Sequence, residues 1–280
     1  METKSLSQLL GVEVSGIDLK KDNNENVKKK LNELFIKSSV LVIRNQTLDP
    51  NEFYKSAEIF GDIFKQHNSR FSLKENTKVH YISNKDKFED GKIYIPGEGF
   101  HTDHSNDITP PKATILHAKK IPSYGGDTQF VNMNKVFESF TNDQKNNFLK
   151  LKATHVYQSK YSKRKLFKLS NNDPNSNKKV IHPIVRTHPE TGKKILYVNW
   201  TYTKQIIGLD KDESDQILKE IFEHQARLDL TCRFNWTENA VAIWDNRSVI
   251  HYAIADFFPG RGLGYERIMD RIAIEGDHPQ

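Results

Sequence analysis

Residues 240–251 read AVAIWDNRSVIH, an apolar run that ends in a polar corner and is followed by His251. The run 240–244 has the length and the branched and aromatic side chains of a strand. The Asp-Asn-Arg corner at 245–247 predicts a turn, because Asx side chains hydrogen-bond to nearby backbone groups. We therefore expect this corner to fix the part of the chain that carries His251.

Further strand-like runs are spread along the chain and are separated by Gly, Pro and Asn turns. Besides 240–244, these runs are 40–44, 113–118, 128–131, 195–199 and 268–274. Many short strands of this kind favour a β-sandwich or jelly roll over a parallel α/β sheet. Because no internal repeat or flexible linker divides the sequence, residues 1–280 are predicted to form a single α+β domain.

Four helices are predicted around these strands. Apolar residues recur at helical spacing over 26–37 and again over 50–61, where a proline begins the segment and a glycine ends it. Capping boxes, in which a polar residue is followed three positions later by Gln or Glu, begin at Thr141 and Asp210. The helices are therefore expected to flank a core made of strands.

The charge and cysteine content restrict the partners and the compartment. With 42 basic and 36 acidic residues the surface is mixed, so the net charge of +6 favours small anionic ligands rather than nucleic acid. The single Cys232 cannot form an internal disulfide, which fits a reducing cytoplasm. Residues 1–20 lack the basic start and long apolar run of a signal peptide, and no membrane span is predicted.

The segment 159–179 differs from the rest because it places seven basic residues among Ser and Asn. A solvated surface loop is one interpretation of this composition. A mobile basic lid over an active site is a second interpretation, and an arm that contacts nucleic acid is a third. The lid is the functional hypothesis for this segment.

The tripeptide His101-Thr102-Asp103 is a candidate metal-binding pair. In an extended segment residues i and i+2 point to the same face, so imidazole and carboxylate can meet one ion. The spacing is weak on its own, because chance gives about 1.4 His-x-acid matches at this composition. The chain has two, and the other, His188-Pro189-Glu190, is followed by Thr-Gly and is interpreted as a hairpin turn.

His251 and an arginine further along the chain strengthen the interpretation of His101 and Asp103 as metal ligands. Two histidines and one carboxylate on one face of iron(II) leave three coordination positions open. Two of these can chelate the keto-carboxylate of 2-oxoglutarate, and the third can take dioxygen. The distant carboxylate of 2-oxoglutarate then needs a planar, permanently charged partner, which suits arginine better than lysine. Arg267, at the start of the run 268–274, is the candidate, and Arg261 is the alternative.

Several motifs occur in order from one end of the chain to the other. They are GVEVSGIDL at 11–19, FGD at 60–62, FHTD at 100–103, GGDT at 125–128, THPETG at 187–192, YVN at 197–199, WDNR at 244–247 and RIMDR at 267–271. With this series the chain resembles the taurine dioxygenase and phenoxyacetate-herbicide dioxygenase (TauD/TfdA) family of iron(II) and 2-oxoglutarate-dependent oxygenases. The motifs together are far more specific than any one of them.

The resemblance implies a double-stranded β-helix, or jelly-roll, core with flanking helices. It implies that His101, Asp103 and His251 bind iron(II), and that Thr128 and Arg267 hold 2-oxoglutarate as the co-substrate. The implied reaction consumes dioxygen, converts 2-oxoglutarate to succinate and carbon dioxide, and hydroxylates a C–H bond of a second substrate. Relatives of this kind imply a homodimer or homotetramer.

Arg271 is implied to contact that second substrate, a small organic anion such as a sulfonate, sulfate ester, phosphonate or carboxylate. It lies four residues after Arg267, an even spacing on a strand, so both side chains can enter one cavity. Residues 95–100 read IPGEGF and lack the asparagine that taurine-using relatives carry before the metal histidine. Taurine itself is therefore not the expected substrate.

Other interpretations of the same residues stay open at this point. On an ideal strand His104 would point away from Asp103, which favours a supporting role for it. A zinc-dependent hydrolase could use the same three ligands to activate water, and a jelly roll that binds a small molecule without turnover is a third function. The hydrolase gives Thr128 and Arg267 no shared task, and the intact ligand set argues against a non-catalytic module.

Overall fold

A computed structural model gives the fold, and it describes residues 1–65, 69–86, 91, 95–163, 165–166, 178–256 and 265–280. The strands are β1 Glu2–Ser5, β2 Val12–Ser15, β3 Val40–Ile43, β4 His80–Ser83, β5 Ala113–Lys120, β6 Thr128–Asn132, β7 Lys152–Val156, β8 Lys179–Pro183, β9 Val185–Thr187, β10 Lys194–Leu196, β11 Thr203–Ile206, β12 Thr231–Phe234, β13 Val241–Asp245, β14 Val249–Ala253 and β15 Ile268–Ile274. The α-helices are α1 Glu25–Ser38, α2 Pro50–Ala57, α3 Met133–Glu138, α4 Asn142–Phe148 and α5 Lys211–Gln225.

The helices begin where local capping predicts. Asn24 caps α1, and reciprocal capping boxes open α2 at Asp49, α4 at Thr141 and α5 at Asp210. The four predicted helices are confirmed, whereas α3, which Asn132 caps, is an addition that the apolar pattern does not mark. None of the helices in the described ranges combines the length and the apolar character that crossing a membrane requires.

The largest sheet has seven strands in the order β1-β2-β3-β13-β5-β15-β4. Its neighbouring strands run antiparallel, except for the parallel pair β2 and β3. Its outer face packs against α1 and α2 through a core that includes Phe35, Phe53 and Ile115. The predicted run 240–244 lies in the middle of this sheet as β13, and every residue of β13 is buried.

A smaller antiparallel sheet, β12-β6-β14, packs against the inner side of the large sheet. The core between the two sheets joins Leu116 and Met269 of the large sheet to Phe130, Phe234 and Val249 of the small one. Burial of each such side chain contributes about 1.5–3 kcal/mol, and the sum holds the two sheets face to face. This sandwich is the predicted jelly-roll core.

The remaining strands form a third sheet, β11-β7-β8, and the two-stranded hairpin of β9 and β10. The interpretation of His188-Pro189-Glu190 as a hairpin turn is confirmed, because it connects these two strands. The predicted strand 195–199 is wrong in its second half, since β10 ends at Leu196. The Asn199 side chain accepts hydrogen bonds from two backbone N–H groups that follow it, and this turn replaces strand pairing.

Two of the predictions fall wholly or partly outside the described residues. They concern Arg261 and the lid segment 159–179, of which residues 164 and 167–177 are not described. At the described ends of that segment, Lys160 pairs with Asp215 and Lys178 pairs with Asp107, each at 2.5 Å. These basic side chains therefore bind carboxylates of the same chain.

Candidate active site

His101 and His251 are joined through their backbones. Each N–H donates to the other residue's carbonyl, at 3.0 Å from His101 and 2.7 Å from His251, and the ring centroids are 4.1 Å apart. Asp103 lies beside them, with Oδ1 3.7 Å from His101 Nε2 and Oδ2 4.0 Å from His251 Nε2. The three predicted ligands therefore come together, with their donor atoms within 4.8 Å of one another and all three residues buried.

The corner before His251 is built from buried ion pairs. Arg247 contacts both oxygens of the fully buried Asp245 at 2.8 Å, and His188 Nε2 lies 2.9 Å from Asp245 Oδ2. Arg247 also reaches Glu190 at 2.7 Å. Burial raises the pKa of Asp245, but Arg247 and His188 outweigh this effect and hold that pKa below its ordinary value. His188 and Glu190, the second His-x-acid pair, thus help to hold the corner, and Arg247 compensates the negative charges of Asp245 and Glu190.

Asp103 is held by further polar groups. The Thr114 hydroxyl donates to Asp103 Oδ2 at 2.5 Å, and the Arg271 guanidinium lies 3.2 Å from the same oxygen. Burial raises the pKa of Asp103, but Arg271 and the two histidines outweigh it, so the pKa lies well below its ordinary value. Asp103 is therefore ionised at neutral pH, which is the state in which a carboxylate binds a cation.

The residues after Asp103 form a turn rather than a continued strand. His104 has a left-handed backbone with φ 49°, and the Asp107 N–H donates to the His104 carbonyl at 2.8 Å. The expectation that His104 points away from the site assumes strand geometry and is wrong. Its side chain lines the same cavity as Asp103, and its ring lies 5.7 Å from the ring of Phe64.

Arg267 and Thr128 lie together on the cavity wall. Arg267 donates through Nε to the Gly126 carbonyl at 2.9 Å and through a terminal nitrogen to Thr128 Oγ1 at 3.4 Å. Trp236 Nε1 donates to the same hydroxyl at 2.9 Å. Because these two donors occupy the lone pairs of the Thr128 oxygen, its own O–H is left to donate into the cavity.

The charge of Arg267 is buried without a matching anion. Burial lowers its pKa to about 10, against an opposing effect of Asp127, and in the part of the chain that the structure describes no carboxylate forms an ion pair with it, since Asp127 itself pairs with Arg233. A buried charge of this kind is costly unless an opposite charge reaches it. The wall around Arg267 and Thr128 is therefore suited to receive a carboxylate from a ligand.

Arg271 enters the same cavity from β15, the strand that begins one residue after Arg267. On the edge strand β4, His80 is the cross-strand partner of Arg271, and its ring also lines the cavity. Burial and the neighbouring Arg271 lower the pKa of His80 to about 4, so its ring is neutral at pH 7. No pattern in the sequence marks His80, because a lone histidine in a short strand has the same appearance as a structural one.

The cavity connects the three-residue cluster with the two arginines and has a volume of about 230 Å³. Phe71, Ile82, Leu116 and Trp244 give it a largely apolar wall. Apolar surroundings lower the local dielectric constant and exclude water, which strengthens the interaction of buried charges with a bound anion. The space is suited to a small organic molecule that carries a negative group.

The donor set fits a divalent transition metal. The Nδ1 atom of His101 is hydrogen-bonded to the Gly99 carbonyl at 2.8 Å, which leaves Nε2 for an ion. Two imidazole nitrogens and one carboxylate oxygen on one face, with further positions open, are typical of mononuclear iron(II) oxygenases. Zinc accepts the same donors, so geometry alone defines the class as a three-ligand metal centre within a jelly roll.

Comparison with known proteins identifies the family. The family model described as "Taurine catabolism dioxygenase TauD, TfdA family" matches residues 2–272, and the chain belongs to this family. An alpha-ketoglutarate-dependent sulfonate dioxygenase of Saccharomyces cerevisiae is 29% identical over 267 residues, which cover 92% of this chain and 63% of that protein. An alkylsulfatase of Acinetobacter baylyi is 28% identical over 285 residues, which cover 99% of this chain and 86% of that protein.

A solved structure supports the same assignment. The crystal structure of a taurine dioxygenase from Burkholderia xenovorans has a TM-score of 0.83 and 29% sequence identity, and the match covers 99% of this chain and 90% of that one. The predicted enzyme class is therefore confirmed, namely a dioxygenase that depends on iron(II), 2-oxoglutarate (alpha-ketoglutarate) and dioxygen. Neither the hydrolase nor the non-catalytic interpretation is needed.

Proposed function

We propose that this enzyme hydroxylates a small organic anion, with a sulfonate or a sulfate ester as the first candidates. The relatives include proteins named for sulfonates, alkyl sulfates and sulfate esters, and phosphonates and carboxylates belong to the same chemical class. The observation that carries the proposal is the pair of guanidiniums, Arg267 and Arg271, in one apolar cavity beside the metal-binding cluster. One serves the co-substrate and the other serves the substrate.

In this proposal His101, Asp103 and His251 bind iron(II), and Arg267 binds the distant carboxylate of 2-oxoglutarate. A guanidinium can make two parallel hydrogen bonds to a carboxylate, which fixes its position as well as its charge. Thr128 donates its remaining O–H to the same carboxylate. Because Arg267 is already desolvated by the fold, the new ion pair forms without a further desolvation cost for the arginine.

The substrate anion is placed against Arg271 and His80, which lie across from each other on β15 and β4. Arg271 supplies the countercharge, and the neutral ring of His80 adds a polar contact without a second charge. The apolar wall holds the carbon chain of the substrate and excludes water from the reacting atoms. One C–H group next to the anionic group then faces the metal site.

When bound, iron(II) and 2-oxoglutarate supply the oxidising power: one oxygen atom of dioxygen goes to succinate, one goes to the substrate carbon, and carbon dioxide leaves. The residues of the chain orient the two organic molecules and keep the site dry. Hydroxylation of the carbon that bears a sulfate or sulfonate group gives a product in which the C–O or C–S bond can break. The products are then an aldehyde and inorganic sulfate or sulfite.

The first experiment separates this function from the alternatives. Iron(II) and 2-oxoglutarate are added without oxygen, the weak visible charge-transfer band is recorded, and oxygen is then admitted with alkyl sulfates, alkanesulfonates, phosphonates or carboxylates. We expect oxygen-dependent succinate, accelerated most by a sulfate ester or sulfonate, and loss of both band and succinate in Asp103→Ala. A zinc hydrolase or a non-catalytic protein would produce no succinate that depends on oxygen.

We also propose that residues 1–280 act as one catalytic domain in the cytoplasm, as a dimer or tetramer, without nucleic acid or membrane partners. One continuous family match over 2–272 supports the single domain. Cys232 is a buried free thiol, and burial raises its pKa, which fits a reducing compartment. Light scattering during gel filtration measures the oligomeric state, and a monomer would contradict that part of the proposal.

A further inference from the structure

A series of buried side-chain hydrogen bonds ends on Asp103. Trp244 Nε1 donates to Asn246 Oδ1 at 3.1 Å, and Asn246 Nδ2 donates to Thr114 Oγ1 at 2.9 Å. Thr114 Oγ1 then donates to Asp103 Oδ2 at 2.5 Å. All four residues are buried, and Asp103, at 8%, is the most exposed of them. The series connects β13 and the corner after it, through β5, to the turn that carries Asp103.

The direction of this series is fixed by its first member. An indole N–H can only donate, so the amide oxygen of Asn246 must face Trp244 and the amide nitrogen must face Thr114. The Thr114 oxygen accepts from Asn246 and has a single hydrogen of its own, which points to Asp103. Thr114 is therefore an obligatory donor to Oδ2 of the carboxylate.

The two oxygens of Asp103 consequently have different surroundings. Oδ2 accepts from Thr114 and faces the Arg271 guanidinium at 3.2 Å. Oδ1, 3.7 Å from His101 Nε2, accepts no hydrogen bond from any residue that the structure describes. We infer that Thr114 is a positioning residue that makes Asp103 bind the metal through Oδ1 alone. This inference rests on the proposed function, in which Asp103 is an iron ligand.

The number of oxygens with which Asp103 binds the metal decides how many coordination positions are left for other ligands. With one oxygen, three of six positions stay open, and 2-oxoglutarate as a chelate needs two of them while dioxygen needs the third. A carboxylate that bound through both oxygens would leave two positions for three donor atoms. The Thr114 hydroxyl therefore keeps the position for dioxygen open, although it contacts neither substrate nor metal.

A set of variants separates the hydroxyl from the packing of Thr114. Thr114→Val keeps the branched shape of the side chain and removes the hydroxyl, whereas Thr114→Ser keeps the hydroxyl and removes the methyl group. A role in hydrogen bonding predicts that valine is impaired and serine is close to the unaltered protein; a role in packing predicts the reverse. Thr203→Val is the matched control, because Thr203 is also fully buried and its hydroxyl bonds to a backbone N–H at 2.9 Å.

The readouts are cobalt(II) affinity of the metal-free protein, the visible spectrum of the cobalt(II) complex, and iron(II) affinity. We expect Thr114→Val to lose about 10–100-fold in metal affinity, with a cobalt spectrum that reports a higher coordination number. Thr114→Ser and Thr203→Val should keep the affinity and the spectrum of the unaltered protein. If Thr114→Val does not fold, Thr114→Ala compared with Thr114→Ser isolates the same hydroxyl.

The inference is overturned if Thr114→Val binds metal with unchanged affinity and spectrum, or if serine is the impaired variant. Failure of the proposed function is a different result. In that case the unaltered protein itself gives no oxygen-dependent succinate with iron(II) and 2-oxoglutarate, whatever the Thr114 variants do to metal binding.

Discussion

Two buried arginines of this protein have opposite surroundings. Arg247, at the corner before His251, and Arg267, in the cavity, are each 4% exposed. Burial lowers the pKa of both, but Asp245 and Glu190 more than reverse the effect for Arg247, whose pKa is raised. For Arg267, which contacts only neutral groups among the described residues, the pKa falls to about 10.

The difference indicates that the two guanidiniums have different roles. A buried charge costs several kcal/mol unless an opposite charge compensates it. The fold compensates Arg247 with two carboxylates of its own chain, so that arginine stabilises the corner. The fold gives Arg267 no such ion pair among the described residues, and in the proposed function this arginine instead binds a carboxylate of 2-oxoglutarate. One arginine should therefore affect folding when it is replaced, and the other should affect binding.

Replacement of Arg247 gives the largest expected effect. In Arg247→Met the buried Asp245 loses its cation, and the free energy of unfolding should fall by about 3–5 kcal/mol. Urea unfolding followed by circular dichroism measures this change. Arg227→Met is the control, because Arg227 and Asp229 form a pair on the surface, where such pairs contribute little. Equal urea midpoints for the Arg247 variant and the unaltered protein would contradict the claim that Arg247 stabilises the fold.

Replacement of Arg267 gives the next effect, on binding rather than folding. In Arg267→Met the free energy of 2-oxoglutarate binding should weaken by about 2–5 kcal/mol. The unfolding free energy of the ligand-free protein should stay the same or rise, because an uncompensated charge has been removed. Titration of the iron(II) charge-transfer band with 2-oxoglutarate measures the affinity. Arg267→Lys keeps the charge without the planar fork and should recover only part of it; normal affinity in the Met variant would refute the assignment.

Asp270 extends the comparison to a buried carboxylate. It is 4% exposed, and burial raises its pKa to about 6. The pKa of Asp270 in the folded protein exceeds the unfolded value of 3.8. The contribution of this carboxyl to the free energy of unfolding is therefore fully present at low pH and is lost as the pH rises from about 4 to about 6. The loss is on the order of 2–3 kcal/mol.

In Asp270→Asn this loss should disappear, so the variant should be the more stable protein at pH 7.5 and lose its advantage at pH 4. Urea unfolding at the two values measures the difference. Asp229→Asn, at an exposed position, is the control for a change of one charge. An equal change in the free energy of unfolding between the two pH values for Asp270→Asn and the unaltered protein would contradict the claim that the ionised Asp270 carboxylate destabilises the fold.

Sequence patterns predicted the parts of this molecule that depend on local order. Capping boxes predicted α4 and α5, the apolar stripe between a proline and a glycine predicted α2, and the order of the motifs predicted which residues lie at the cavity. His80 and Thr114 were not predicted, because their roles arise from strand pairing and burial that no local pattern encodes. The predicted strand 195–199 was wrong in its second half because the Asn199 side chain hydrogen-bonds to the backbone and forms a turn there. The predicted direction of His104 was wrong because its left-handed backbone breaks the alternation of an ideal strand.

The position of β15 has a consequence for how the protein is made. β15 is the last strand in chain order among those described, yet it lies inside the large sheet, between β5 and β4. While residues 268–274 are still within the ribosome, β5 has an open edge and β4 has no neighbour, and such edges recruit other chains. The cavity that Arg267 and Arg271 line therefore cannot form until residues 268–274 have been synthesised and have joined the sheet.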